Sequence, residues 1–268
     1  MTSPAVTDLH WTWLVTDLDG TLVGRDLAIV ARNVDALRRF QERGGSVVFA
    51  TGRNEESAGR YHRELGLATP MILYNGARVV GADGTRLLDR GLGDAWPVLR
   101  DALLPGLPDD VGAIAFAHDR AYVVRDAPAL ADYARRDRIA LLPQPPSLDE
   151  VTKVMLIGAT PAVAGLREDV LAVRPDVTVV SSEDTYLEIL AGNATKGQAL
   201  AWLAERDGVP LSRIAAIGDN PNDIDMLVAA GLGAAVGDGH RQVRAVADVV
   251  TVACAEGAVA DLVERLLR

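Results

Sequence analysis

The sequence predicts an α/β protein in which an open, doubly wound parallel sheet is interrupted by an inserted α+β block. Three observations predict it. Short apolar runs alternate with helical stretches at both ends of the chain, as in a parallel sheet with crossover helices. Between them, short strands come in hairpin-like pairs. The 268 residues, 49 % of them hydrophobic, suffice for one large core or two smaller ones and are too apolar for disorder.

The elements follow in order. Trp11 to Thr16 is short, apolar and rich in β-formers, and is expected to be a buried strand. Ile29 to Arg43 carries Val30, Val34, Leu37 and Phe40 at helical spacing and stops at Gly44-Gly45. A strand at Ser46 to Ala50, a polar helix at Glu55 to Leu65 and a strand at Met71 to Tyr74 continue the alternation. The pattern then changes. Arg78 to Val80 with Thr85 to Leu88, and Gly112 to Ala117 with Ala121 to Arg125, read as hairpins, with helices at Ala95 to Leu104 and Pro128 to Arg138. The proline-rich stretch Leu141 to Glu150 reads as a loop. A strand at Lys153 to Gly158, a helix at Ala162 to Val173, and strands at Val177 to Ser181 and Tyr186 to Leu190 complete the block. From Lys196 the first pattern returns: helix Gly197 to Asp207, strand Arg213 to Ile217, helix Asp223 to Ala230, strand Gly233 to Val236 and helix Val259 to Leu267. The expected organisation is core 1–81, inserted block 82–190 and core 191–268.

Composition narrows the function. The net charge of −10 (27 basic, 37 acidic residues) argues against nucleic acid or an anionic membrane as partner. It admits an anionic small substrate, because a bound metal inverts the local field. The single cysteine, Cys254, allows no disulfide within the chain, fits a reducing cytoplasm and reads as a small buried hydrophobe. The opening MTSPAVTDLHWTW has no basic region followed by an apolar run, so no signal peptide is expected, and no apolar run is long enough for a transmembrane helix. Only two of the 27 basic residues are lysines, Lys153 and Lys196. In a chain that otherwise uses arginine, a lysine marks a place for a compact ammonium; for Lys153 a purely structural place in its strand is the expectation.

Three polar stretches, TDLDGT, ATGR and GDNPND, each follow a short apolar strand. In an open parallel sheet the carboxyl ends of the strands line the ligand crevice, so Asp17, Asp19, Thr51 and Asp219 are expected at one edge. The two-residue spacing of Asp17 and Asp19 is expected to aim both side chains at one ligand. Asp17, Asp19, Asp219 and Asp223, with no Cys or His nearby in sequence, suit Mg²⁺. With the Thr51 hydroxyl and the Lys196 ammonium they point to phosphoryl transfer.

On these motifs the chain resembles the haloacid dehalogenase superfamily, specifically the Cof-type, subfamily IIB phosphatases with a C2-type cap. The motifs are Asp17-Leu18-Asp19-Gly20-Thr21, Ala50-Thr51-Gly52-Arg53, the lysine of Lys196-Gly197-Gln198-Ala199-Leu200, and Gly218-Asp219-Asn220-Pro221-Asn222-Asp223. The resemblance covers nearly the whole chain and implies a Rossmann-like core with an inserted cap that closes as a lid. It implies that Asp17 attacks phosphorus and that Asp19 serves as acid and then base. It implies that Mg²⁺ is held by Asp17, the Asp19 carbonyl and Asp219, supported by Asp223, and that Thr51, Lys196, Asn222 and amides near Gly20 bind the phosphoryl group. Arg53 and Asn75 are candidates for substrate contact. One departure is Gly237-Asp238-Gly239-His240, where related chains often carry a Gly-Asn-Ala turn.

The expected function is a cytoplasmic, Mg²⁺-dependent phosphatase acting on a small phosphorylated metabolite such as a sugar phosphate. The alternatives are a phosphotransferase or phosphomutase using the same aspartates, a phospho-acceptor domain, or a metabolite sensor without catalysis. A phospho-acceptor domain lacks an acid two residues after the nucleophile, and Asp19 supplies one. Which substrate is used, and the oligomeric state, stay open at this level.

Overall fold

The computed structural model describes residues 9–145 and 147–268. Residues 1–8, which carry much of the signal-peptide expectation, and Pro146 of the proline-rich stretch lie outside the described residues.

The strands that position the chemistry are short and apolar because both faces of the sheet are covered. Every residue of Trp13–Thr16 and of Ile214–Gly218 is buried, as are Val47 to Ala50 in Ser46–Ala50. Trp13 pairs with both Ser46 and Ile214, and Thr16 with both Phe49 and Ile217, all parallel. That register brings three strands to an end at one level, so Asp17, Thr51 and Asp219 leave the sheet at the same edge. The sheet has eight strands in the order Val249–Val250, Leu232–Ala235, Ile214–Gly218, Trp13–Thr16, Ser46–Ala50, Met71–Leu73, Arg78–Val80, Arg86–Asp89. The first six run parallel, and Arg78–Val80 returns antiparallel to Met71–Leu73. Helix Lys196–Asp207 begins at Thr195, whose hydroxyl accepts from the Gln198 N–H at 3.3 Å, and ends at Gly208 with φ +69°.

A second sheet has six strands in the order Thr178–Glu183, Tyr186–Leu190, Val151–Ile157, Gly112–Ala117, Arg120–Arg125, Leu141–Pro143. Its first five are antiparallel neighbours, and the turn His118-Asp119 takes positive φ at both residues, as a two-residue hairpin requires. Ala113, Ala115, Val154, Leu156, Leu187 and Ile189 face a hydrophobic cluster built with Trp96, Leu99 and Leu103.

The mixed α/β class expected from sequence is what the structure has, and several local expectations are corrected. Arg86–Asp89, expected within the inserted block, instead extends the first sheet beyond Arg78–Val80. The reason is the tight turn Tyr74–Gly76, which reverses the chain directly onto its neighbour strand. Leu141–Pro143, expected as loop, is an edge strand parallel to Arg120–Arg125, with its proline at the end where a missing N–H is tolerated. The helix expected over Ala95 to Leu104 is an α-helical turn Ala95–Val98, a wider π-helical turn Leu99–Leu103 and a 3₁₀ turn Leu104–Gly106. Helix Arg241–Val246 and strand Val249–Val250 were not anticipated.

The chain forms two compact units. One comprises the described residues through Thr51, with Arg60–Leu87 and Thr195–Arg268; the other comprises Gly52–Gly59 and Leu88–Ala194. No helix among the described residues is long and apolar enough to cross a membrane.

Candidate active site

The site is built around the ammonium of Lys196. Its Nζ donates to Asp17 Oδ1 at 2.8 Å and to Asp223 Oδ1 at 2.6 Å, although the three residues span most of the sequence. Lys196 is 1 % exposed and Asp223 0 %. Asp223 Oδ2 accepts the backbone N–H groups of Asp219 and Asn220, both at 3.0 Å. Both oxygens of Asp223 are thus engaged, so it serves as the post that orients lysine and loop. Asp219 Oδ1 accepts from the Thr21 hydroxyl at 2.8 Å. Asp17, Asp219 and Asp223 each bring a carboxylate oxygen within 4.8 Å of the others.

Two buried carboxylates and a part-buried third around one ammonium leave an excess of negative charge. Burial, with the charges of Asp223, Asp219 and Asp19, holds the Asp17 carboxyl well above the usual range despite Lys196. Burial and Asp223 push Asp219 up to about 7, against the Thr21 hydrogen bond and Lys196. Burial disfavours the Lys196 charge, but Asp17 and Asp223 outweigh it and raise the ammonium above its ordinary value. The donor set, carboxylate oxygens without Cys or His, fits a hard divalent cation, and a bound dication would offset the residual charge.

Small residues make the approach geometrically feasible. Gly20 has φ +76°, and a Cβ there would lie 2.5 Å from Asp219 Oδ2. Its N–H donates to the Val23 carbonyl at 3.0 Å. A Cβ on Gly218 would lie 2.4 Å from Asp223 Cγ.

The other expected residues fall as follows. Asp19 is exposed, and it lies outside the carboxylate group around Lys196. The strand ends at Thr16, and Leu18 is fully buried with its carbonyl accepting from Thr21, Leu22 and Val23, so strand alternation does not reach Asp19. Thr51 is 1 % exposed; its N–H donates to the Ile72 carbonyl and its carbonyl accepts from Asn75, both at 2.9 Å. Asn75 has φ +53° in the reversal after Met71–Leu73, and its Oδ1 accepts from Asn222 Nδ2 at 2.9 Å. Arg53 is buried in the unit of the second sheet. The turn Gly237-Asp238-Gly239-His240 lies against Asp219: the His240 N–H donates to the Asp219 carbonyl at 2.7 Å, and a Cβ on Gly239 would be 3.0 Å from Asp219 Cα. Cys254 is buried, and burial pushes its thiol up to about 11.

Sequence reasoning missed two supporting residues. Thr21 stands in the motif Asp17 to Thr21, where the sequence alone gives it no role. Asp225 accepts the Gly197 N–H at 3.0 Å and so holds the backbone next to Lys196. Its position two residues after Asp223 was the available signal.

The family model described as haloacid dehalogenase-like hydrolase matches residues 14–263. An Arabidopsis thaliana protein named "Endoribonuclease YBEY, chloroplastic" is 29 % identical over 95 % of this chain, but the match spans only 46 % of that protein. "Phosphatase YwpJ" of Bacillus subtilis is 28 % identical over 95 % of this chain and 99 % of its own length. "Pyridoxal phosphate phosphatase YbhA" of Escherichia coli is 27 % identical over 88 % of this chain and 92 % of its own. A solved haloacid dehalogenase-like hydrolase from Bacteroides thetaiotaomicron has the same fold, with TM-score 0.85, 24 % identity, and coverage of 96 % of this chain and 99 % of that one.

Proposed function

Because the chain belongs to the haloacid dehalogenase-like hydrolase family, we propose that it is a phosphomonoester hydrolase acting on a small phosphorylated metabolite through an aspartyl-phosphate at Asp17. The observation that carries this reading is the Lys196 ammonium held between Asp17 and Asp223 beside Asp219. Relatives named as phosphatases support it.

In the first half-reaction an Asp17 oxygen attacks phosphorus in line, the phosphorus–oxygen bond to the alcohol breaks, and Asp19 gives the leaving oxygen a proton. In the second, Asp19 takes a proton from water, the water oxygen forms the new bond to phosphorus, and Asp17 leaves as carboxylate with inorganic phosphate released. The Lys196 ammonium favours the ionised form of Asp17 against its burial and offers positive charge to the transferring group. Thr51 and Asn222 would contribute further hydrogen bonds to that group, and Arg53 and Asn75 would contact substrate. Asp17 and Asp219, each with one oxygen already in a protein hydrogen bond, and the Asp19 carbonyl would hold Mg²⁺. Bound there, Mg²⁺ supplies charge neutralisation of the phosphate oxygens. The buried Asp17 beside the exposed Asp19 fits a division of labour between nucleophile and proton carrier.

The test is phosphate release from a panel of phosphorylated metabolites, with Mg²⁺ and with chelator. Metal-dependent release concentrated on one substrate is expected. Silence across the panel, with the metal still bound, would reject hydrolysis and favour transfer to an acceptor alcohol or sensing.

A further inference from the structure

The second lysine of the chain has no place in the mechanism above. Lys153 lies in strand Val151–Ile157 of the second sheet and is 3 % exposed. Its Nζ donates to Glu188 Oε2 at 2.8 Å and to the backbone carbonyl of Gly52 at 3.0 Å, and sits 4.8 Å from the Phe116 ring centroid. Glu188 is also 3 % exposed. The neighbouring strand residues Val154, Leu156, Leu187 and Ile189 join the hydrophobic cluster, so by alternation Lys153, Glu188 and Phe116 occupy the opposite face. Lys153, Glu188, Phe116 and the segment Gly52–Gly59 belong to one compact unit.

Stability does not account for this pair. Desolvating two charges offsets much of their attraction, and well-packed apolar residues in their place are often equally or more stable. What an apolar pair cannot do is donate to the Gly52 carbonyl. Arginine would bring a planar fork, whereas the ammonium can aim separate protons at a carboxylate and a carbonyl within one small space. Gly52 stands between Thr51 and Arg53, two residues that the proposed function assigns to phosphate and substrate.

We propose that Lys153, neutralised by Glu188, is a positioning residue: by holding the Gly52 carbonyl it fixes the backbone that joins Thr51 to Arg53. The inference rests on the phosphatase reading for the roles of Thr51 and Arg53. Its structural half, the clamp on Gly52, stands apart from that reading.

The experiment uses the full chain carrying Lys153→Met and Glu188→Met together, because either change alone would remove the close opposite charge from a buried ion. Three quantities are read: melting temperature, hydrogen exchange of the peptide covering residues 52–59, and kcat/KM with the inhibition constant for inorganic phosphate. The expected result is an unchanged or higher melting temperature, exchange in 52–59 faster by ~10-fold or more, and kcat/KM lower by ~10- to 100-fold with weaker phosphate inhibition, as for a misplaced binding group. Parent-like exchange in 52–59 overturns the clamp. Faster exchange with parent-like kcat/KM and phosphate inhibition overturns the positioning role. A lower melting temperature with faster exchange throughout the chain overturns it as well, since the pair is then a general structural support. If the parent protein releases phosphate from no substrate, the phosphatase reading fails while the exchange data still decide the clamp.

Discussion

The two buried lysines are a matched contrast in charge. Lys153 faces one paired carboxylate, a backbone carbonyl and a ring, and the ion pair is balanced. Lys196 stands among three carboxylates, so the cluster keeps two negative charges when all are ionised. In this unbalanced cluster, burial joined by the neighbouring carboxylates raises the Asp17 and Asp219 pKa values, and the oxygen donor set suits a cation. The same residue type, at similar burial, therefore sits in a neutral ion pair within a strand and in an acidic cluster at the start of a helix, and the carboxylate count makes the difference.

The sharpest way to break this comparison is at the nucleophile. Asp17→Asn should lower turnover by roughly five or six orders of magnitude, as loss of a nucleophile does elsewhere, while the protein stays folded by circular dichroism. A steady-state rate near that of the parent would reject Asp17 as nucleophile. In the companion variant, Asp19→Asn, intact mass should reveal either a trapped phosphoryl adduct or no adduct and no turnover.

The charge excess is tested by pH. A carboxylate must lose its proton to bind metal. With Asp219 near 7 and Asp17 raised in the metal-free protein, Mg²⁺ affinity should weaken as pH falls through about 7, approaching tenfold per pH unit for each proton displaced. Calorimetry in buffers of different ionisation enthalpy should show proton release that shrinks as pH rises above 7. Affinity independent of pH, with no proton release, would contradict the unbalanced-cluster account.

Geometry at the same cluster gives a smaller effect. Gly20→Ala places a Cβ against Asp219 at a positive φ, and should cost about 1–3 kcal/mol of stability in denaturant unfolding while weakening metal binding. Unchanged stability and metal affinity would show that the Asp219 side chain can move aside.

The smallest expected effect lies away from the lysines. His62 pairs through Nε2 with the Thr69 carbonyl at 2.8 Å, and burial, helped by Arg63, lowers its pKa below 6.5 against that hydrogen bond. The folded state thus disfavours the charged ring, so its contribution is complete above about 6.5 and declines as the pH falls below it, where the unfolded chain takes up the proton first. Replacing it, His62→Gln, should flatten the stability profile between pH 7 and 5; an identical profile in the variant would remove His62 from the account.

Much of the carboxyl edge of the first sheet was legible beforehand, since apolar runs followed at once by Asp, Thr or Gly-Asp announce strand ends in a parallel sheet. Lys196 was legible for a different reason, being one of only two lysines in the chain. Thr21 and Asp225 were not, because a short polar residue near a motif reads equally well as a turn or a cap. The hairpin of Arg78 to Val80 with Thr85 to Leu88 was legible, but its second strand, expected in the inserted block, joins the first sheet as Arg86–Asp89. Pairing within a hairpin is local, whereas the sheet it joins is decided by long-range contacts.

By itself the sequence determined the mixed α/β class, the alternating elements at both ends and the residues at the strand ends, all of which follow from local apolar periodicity and turn chemistry. Only the tertiary structure decided which groups meet: Lys196 between Asp17 and Asp223, Thr21 on Asp219, Lys153 on Gly52. Those meetings depend on strand register and on the missing Cβ atoms of Gly20 and Gly218, distances of a few ångströms between residues far apart in the chain, and no local pattern encodes them.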